Sequence, residues 1–256
     1  MMRFASLGSG SEGNGLLVEV GGTCILVDCG FALNDTTERL SRRGIDPASV
    51  NALLITHEHA DHIGGAARFA RKFGVPVSLT HGTLQAAGDR FAGVDAIEIF
   101  DCHRRFSVGA IEIEPYTVPH DAREPSQFVF SDGGVRLGLL TDAGSLTSHM
   151  QSVLSGVDAL VLECNHDLDM LWASGYPERL KQRIAGKFGH LDNATAAQLV
   201  TSIDCSRLKH VIAAHLSQQN NTPELARAAL AGALGCEYGW IGVATQHDGF
   251  DWRQVG

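Results

Sequence analysis

Residues 52–62 read Ala-Leu-Leu-Ile-Thr-His-Glu-His-Ala-Asp-His, and this stretch decides the fold. Ala52–Thr56 is a short apolar run with a β-branched end, as expected of a buried strand. The hexapeptide His57–His62 follows it directly. A helix is expected from Asp61 to about Phe73, stopped by Gly74. His57, His59, Asp61 and His62 put four candidate ligands on one strand-to-helix turn. Three imidazoles and a carboxylate buried together would carry large desolvation costs. A divalent cation offsets those costs, because neutral imidazole nitrogens and a carboxylate suit zinc or manganese.

Outward from this turn, three isolated residues repeat one pattern. His120 follows the run Ile111–Pro119, Asp142 follows Val135–Thr141, and His215 follows Val211–Ala214. Each stands just past the C-terminal end of an apolar run, and in α/β sheets those ends gather on one edge where binding sites form. Taken singly, such a residue at a strand end is more often a hydrogen-bonded turn residue. Together with the hexapeptide they point to one shared site.

The remaining chain has the grammar of an α/β protein. Strands are expected at Arg3–Leu7, Leu16–Val20 and Cys24–Asp28, the last two joined by Gly21-Gly22. After Ala52–Thr56 come strands at Val75–Thr80, Ala96–Phe100 and Ile111–Val118, with helices at Asp35–Arg43 and Gly82–Ala87. The second half expects strands at Phe128–Ser131, Val135–Thr141, Ala159–Glu163, His210–Ala214 and Tyr238–Ala244. Its helices are Ser145–Leu154, Pro177–Lys187, Ala194–Ile203 and Pro223–Leu234. Two such halves, about 1–125 and 126–256, predict one domain built as a four-layer αβ/βα sandwich with the site at an edge of the sheets.

Composition narrows the partners. The 256 residues carry a net charge of −9, which argues against an all-round nucleic-acid surface and leaves room for a local basic patch. The six cysteines are scattered, with no CxxC pair, and read as small buried thiols. The N-terminus lacks the apolar core of a signal peptide, and no run reaches the roughly 18 apolar residues of a membrane helix. The expectation is a cytoplasmic protein with no membrane partner; oligomeric state is not indicated.

The hexapeptide followed by separate His, Asp and His positions resembles the metallo-β-lactamase superfamily, over nearly the whole chain. The resemblance implies that His57, His59 and His120 hold one metal, that Asp61, His62 and His215 hold a second, and that Asp142 bridges them. It also implies zinc or manganese, with iron possible, at about 3.5–4 Å separation, and attack by a bridging hydroxide. Four further stretches, Leu7–Asn14 (LGSGSEGN), Ala159–Asp167 (ALVLECNHD), Gly189–Asn193 (GHLDN) and Ala214–Glu224 (AHLSQQNNTPE), resemble the YycJ/WalJ group, bacterial members regarded as DNA exonucleases. The group usually has a second serine where Glu12 stands.

Glu163 and His190 are similar to a pair in the tRNA 3′-processing endonucleases, where a glutamate supports a histidine that protonates the leaving oxygen. Cleaving a phosphodiester needs such a proton. The plainer reading makes Glu163 a helix cap and His190 a surface turn residue. Asp61, Glu163 and His190 are thus the catalytic candidates. Ser9, Ser11 and Asn14 in the glycine loop, His166, and Asn220 are candidates for touching substrate. For Asn220 and Asn221, capping the Pro223 helix is the favoured reading over substrate contact. Arg179–Lys187 carries four basic residues and no acid, either a solvated face or a contact for phosphate. The expected activity is phosphodiester hydrolysis, with DNA as the substrate and partner. The alternative is a small-molecule hydrolase, a cyclic phosphodiesterase or a thioesterase.

Overall fold

A computed structural model describes residues 1–256. The chain first lays down β1 (Met2–Gly8), β2 (Gly15–Val20), β3 (Thr23–Val27), β4 (Ala52–Leu54), β5 (Val77–Leu79) and β6 (Ile97–Ile99). A second series follows: β7 (Phe106–Val108), β8 (Ile111–Thr117), β9 (Ser126–Ser131), β10 (Arg136–Leu140), β11 (Ala159–Glu163), β12 (His210–Ala214) and β13 (Ile241–Val243). The last strand, β14 (Phe250–Val255), returns to pair antiparallel with β1. The two sheets run β14-β1-β2-β3-β4-β5-β6 and β7-β8-β9-β10-β11-β12-β13. In each, three antiparallel pairings give way to three parallel ones, and the change falls at β3 and at β10.

The helices are α1 (Leu33–Arg42), α2 (Ala60–Ile63), α3 (Ala66–Phe73), α4 (His81–Ala87), α5 (Ser148–Leu154), α6 (Leu168–Ala173), α7 (Glu178–Ile184), α8 (Asn193–Ser202) and α9 (Pro223–Leu234). Period-two alternation assigns the layers. Along β3, Ile25 and Val27 join the core between the sheets, while Cys24 and Leu26 pack with Leu40 and Phe69 of α1 and α3. Along β11, Ala159 and Val161 face the other sheet, while Leu160 and Leu162 pack with Leu199 and Leu230 of α8 and α9. Central strands buried on both faces explain why their sequences read as continuous apolar runs. The four-layer αβ/βα sandwich is the observed architecture. No helix is long and apolar enough to cross a membrane.

The structure departs from the expectations in five places. The single helix expected from Asp61 to Phe73 is two, α2 and α3, broken at Gly64-Gly65. A Cβ on Gly65 would lie 1.9 Å from the Phe31 carbonyl oxygen, so the break lets the chain pass close beneath the β3–α1 loop. The segment expected as a strand at Tyr238–Ala244 opens with a 3₁₀ turn, Tyr238–Trp240, before β13. Helix α6 was not anticipated. Nor were β7 and β14, both edge strands with half-polar sequences that give little apolar signal. As a result, the change of sheet falls between Ile99 and Phe106, not near residue 125, and the C-terminus closes the first sheet.

Candidate metal centre

The C-terminal ends of β4, β8, β10, β11 and β12 converge on one edge, each delivering polar side chains. The turn after β4 carries His57–His62; His120, Asp142 and His215 follow β8, β10 and β12, and Glu163 ends β11. Asp142 and His215 both adopt left-handed backbone, with φ of 52° and 53°. Such conformations cost non-glycine residues about 1–3 kcal/mol and persist where surroundings enforce them. Gly30 lets the hexapeptide close against β3: a Cβ there would sit 1.8 Å from the Asp61 carbonyl oxygen.

Potential ligand atoms of His57, His59 and His120 lie within 4.8 Å of one another, as do those of Asp61, His62 and His215. Asp142 belongs with His57 and His62 in one group and with His215, Glu163 and His190 in another, so it touches both sets. Two buried atoms test whether the cluster suits cations. His57 Nε2 and Asp142 Oδ2 are enclosed and have no hydrogen-bond partner. His62 Nε2 approaches Asp142 Oδ2 to 3.1 Å without completing a hydrogen bond. Buried polar atoms are almost always paired, and leaving one unsatisfied costs about 1–3 kcal/mol. Lone pairs turned inward from imidazole and carboxylate, with no donor to meet them, fit divalent metal, and the cluster could hold such ions.

A layer of carboxylates and carbonyls orients the imidazoles from behind. Asp28 accepts from the Thr56 amide, the Thr56 hydroxyl and His62 Nδ1, at 2.9, 2.9 and 2.8 Å. That leaves His62 Nε2 facing the cluster. His120 Nδ1 donates to the Gly189 carbonyl at 3.0 Å. Glu163 is fully buried and accepts from the Ala143 amide at 2.9 Å, the Leu191 amide at 3.2 Å and His190 Nδ1 at 2.8 Å. Its neighbour His215 approaches the same carboxylate through Nδ1 at 3.3 Å and Asp61 through Nε2 at 3.5 Å. This arrangement, ligand backed by a carboxylate, fixes ring orientation and raises basicity.

The electrostatics divide the site. Burial, then the neighbouring His62, push His57 well below the ordinary imidazole value, and burial lowers His120. His215 is different: burial pulls it down, but Asp142, Asp61 and Glu163 outweigh that and hold it at about 10. His62 is raised in the same way by Asp142, Asp61 and Asp28 against burial. Burial would raise the Asp142 and Glu163 carboxyls. His215 and His62 instead hold Asp142 well below its ordinary range, and His190 holds Glu163 at about 2.

A cavity of about 390 Å³ opens over the cluster, walled by His59, Asp61, Asp142, His190 and His215 together with Ser11, Tyr176, Arg183 and Ser217. Of the residues expected to touch substrate, only Ser11 lines it. Ser9 is 7% exposed and its hydroxyl accepts the His215 amide at 2.9 Å. Asn14, also buried, ties the glycine loop together through Gly10 and lies 3.2 Å from His62 Nε2. His166 is 1% exposed and contacts Asn165, whose amide donates to the His215 carbonyl. Asn220 is fully buried against Ser217. None of these four lines the cavity; Ser9 and Asn14 spend polar atoms on neighbouring protein groups, while His166 Nε2 and Asn220 Oδ1 are buried without a hydrogen-bond partner. Neither Asn220 nor Asn221 caps α9; Thr222 does, accepting the Leu225 amide. Glu163 caps no helix.

The basic segment is also resolved into separate roles. Lys181 is buried and donates to the Trp172 carbonyl, while Arg183 reaches the cavity and pairs with Asp121 at 2.6 Å. Asp121 in turn lies 3.6 Å from His120 and 3.7 Å from His59. Sequence reasoning missed Asp28, Thr56 and Asp121. Asp28 carried the signal that found Asp142, an acid just past an apolar strand.

A model of the metallo-beta-lactamase superfamily matches residues 8–161, and the chain belongs to that superfamily. Within it, the chain is similar to exodeoxyribonuclease YycJ of Bacillus anthracis, at 36% identity over 250 residues covering 96% of this chain and 95% of that one. Exodeoxyribonuclease WalJ of Streptococcus pneumoniae serotype 2 is 35% identical over 236 residues, 91% of this chain and 88% of its own. The resemblance carried by the four loops therefore extends across the chain. Among solved structures, the metallo-beta-lactamase fold protein YhfI from Bacillus subtilis aligns with a TM-score of 0.77, covering 99% of this chain and 100% of that one. Its 15% identity speaks for a common fold alone.

Proposed function

We propose that this protein is a metal-dependent phosphodiesterase that degrades DNA from an end, acting in the cytoplasm. The observation that carries the reading is the Glu163–His190 pair, 2.8 Å apart, placed in the wall of the same cavity as the metal cluster. A thioesterase has less need of such a pair, because a thiolate departs without help from an acid. An alkoxide does need it.

His57, His59 and His120 would hold one cation, Asp61, His62 and His215 the other, with Asp142 between them. The imidazole-rich donor set favours zinc, and manganese suits the carboxylate side. Such cations, when bound, supply Lewis acidity to a phosphoryl oxygen and make water a stronger nucleophile. The chain's own part is positional. Glu163 keeps the His190 Nδ1 proton in place, so that Nε2 delivers its proton to the leaving oxygen. Arg183 and Ser11 stand at the cavity wall to meet non-bridging phosphate oxygens. Asp61 contacts His62 and His215 and orients the pair.

The similarity to exodeoxyribonucleases supports DNA as the substrate and an end-directed mode. The test is metal analysis of the purified protein, with cleavage of DNA and RNA carrying a label at either end. Mononucleotide release from DNA, abolished by chelation and restored by zinc or manganese, is the expected result. Turnover of a thioester with no action on either nucleic acid would overturn the reading.

A further inference from the structure

Beside the hexapeptide, and separate from the metal cavity, lies a second cleft of about 300 Å³. Ile63, Gly64, Ala67, Arg68, Arg71 and Arg90 line it, with no acidic side chain among them. In a chain of net charge −9 this is an unusual concentration of cations. Ion pairs elsewhere, such as Arg39–Asp35, Arg105–Glu114 and Arg207–Asp158, neutralise other arginines.

Ordinary structural roles account for only part of the cluster. Arg71 donates to the Ala92 carbonyl at 2.9 Å and reaches the Arg90 carbonyl at 3.4 Å, which pins the turn after α4. Arg71 and Lys72 also lie in the last turn of α3, where the helix dipole favours cations. Arg68 has neither justification. It sits in the first turn of α3, the end that disfavours a positive charge, and repels Arg71 and Lys72 at i+3 and i+4. Arg90 extends the same positive field from a different element. An anion settled in the cleft relieves all of these repulsions.

We propose that this cleft holds the phosphodiester backbone of a DNA strand whose end lies in the metal cavity, an inference that rests on the nuclease reading. Ala60 and Asp61 at the start of α2 line the metal cavity, and Ile63 and Gly64 at its end line the cleft, so the two openings flank the same short helix. The cleft thus grips phosphates that lie outside the metal cavity. It favours polymeric over small phosphodiesters and gives an acidic protein a local track for a polyanion.

The test measures binding and turnover separately in the metal-loaded protein. A fluorescein-labelled phosphorothioate oligonucleotide, which resists hydrolysis, is titrated at several salt concentrations with wild type and with the double variant Arg68→Ala/Arg90→Ala. Arg71 is left in place because it pins the turn. The expected result is a slope of log affinity against log salt shallower by about 1–2, with affinity down on the order of tenfold at low salt. Turnover of bis(p-nitrophenyl) phosphate stays at the wild-type level, and Arg68→Lys/Arg90→Lys keeps the wild-type slope. An unchanged slope in the alanine variant, or equal loss of the small-substrate turnover, would overturn the proposal. So would a lysine variant as weak as the alanine one. A wild type that binds the oligonucleotide with this slope yet cleaves no natural DNA would keep the cleft and sink the nuclease reading.

Discussion

Asp28 and Asp142 occupy equivalent points in the two sheets and have opposite duties. Each follows the strand at which antiparallel pairing gives way to parallel, β3 in one sheet and β10 in the other. Each is buried and adopts left-handed backbone, with φ of 59° and 52°. Asp28 gives its oxygens to Thr56 and His62. Asp142 Oδ2, in contrast, finds no donor. The difference follows from what each sheet must support. In the first, one turn after β4 carries four candidate ligands, and a carboxylate stands behind them as a brace. In the second, the candidate ligands arrive singly from β8, β10 and β12, and the carboxylate at the same point turns into the cluster. In the proposed reading, a repeated architecture has produced one scaffold and one ligand from the same residue type in the same place.

The most direct way to break this comparison is to remove each carboxylate. Asp142→Ala is expected to lose both ions by metal analysis. Its phosphodiesterase turnover should fall by more than the roughly 10³-fold that a single transition-state donor is worth. Asp28→Ala should keep its full complement of metal at excess zinc or manganese, but bind it about 10–100-fold more weakly. If the two variants lose metal equally, their division into ligand and brace is wrong.

Glu163 extends the contrast to proton transfer, because it braces His190 much as Asp28 braces His62. His190→Ala should slow hydrolysis of natural DNA by about 10²–10⁴-fold. A p-nitrophenyl phosphodiester, whose leaving group departs unprotonated, should be slowed far less. Glu163→Gln should show the same leaving-group bias more weakly, with metal content unchanged. Equal losses on both substrates would remove His190 from the proton-donor role.

Legibility in the sequence followed the same division. The hexapeptide announced itself because dense imidazoles after an apolar strand make poor packing chemistry, and His120, Asp142 and His215 were found by position relative to buried strands. Asp28 obeyed that rule and was passed over because nothing in the sequence distinguishes a brace from a turn residue. Ser9, Asn14, His166 and Asn220 lie in loops that invite a functional reading, yet none of them lines the cavity, and only tertiary packing reveals that. Strands β7 and β14 were missed for a different reason. An edge strand buries one face at most, so its apolar periodicity is weak, and its place in a sheet is set by a partner remote in sequence.

The smallest expected effect concerns the metal-free chain, where Glu163 and His215 face each other at 3.3 Å. Glu163 is held at about 2 against an ordinary 4.5, so its contribution to stability is present above about 4.5 and is lost as pH falls toward 2. His215 is held at about 10 against an ordinary 6.5, so its contribution is complete below about 6.5 and is lost as pH rises through 10. Both contributions are present together between those ordinary values. The melting temperature of the chelated protein should therefore fall between pH 7 and pH 10, a range in which the buried His57 and His120 are neutral, and His215→Gln should flatten that alkaline decline. Bound metal should reverse that trend, because cations compete with protons for the same imidazoles and hold more firmly as pH rises. A chelated protein as stable at pH 10 as at pH 7 would mean that the carboxylates of the second sheet do not charge His215 in the folded state, and the electrostatic division of the site would fall with it.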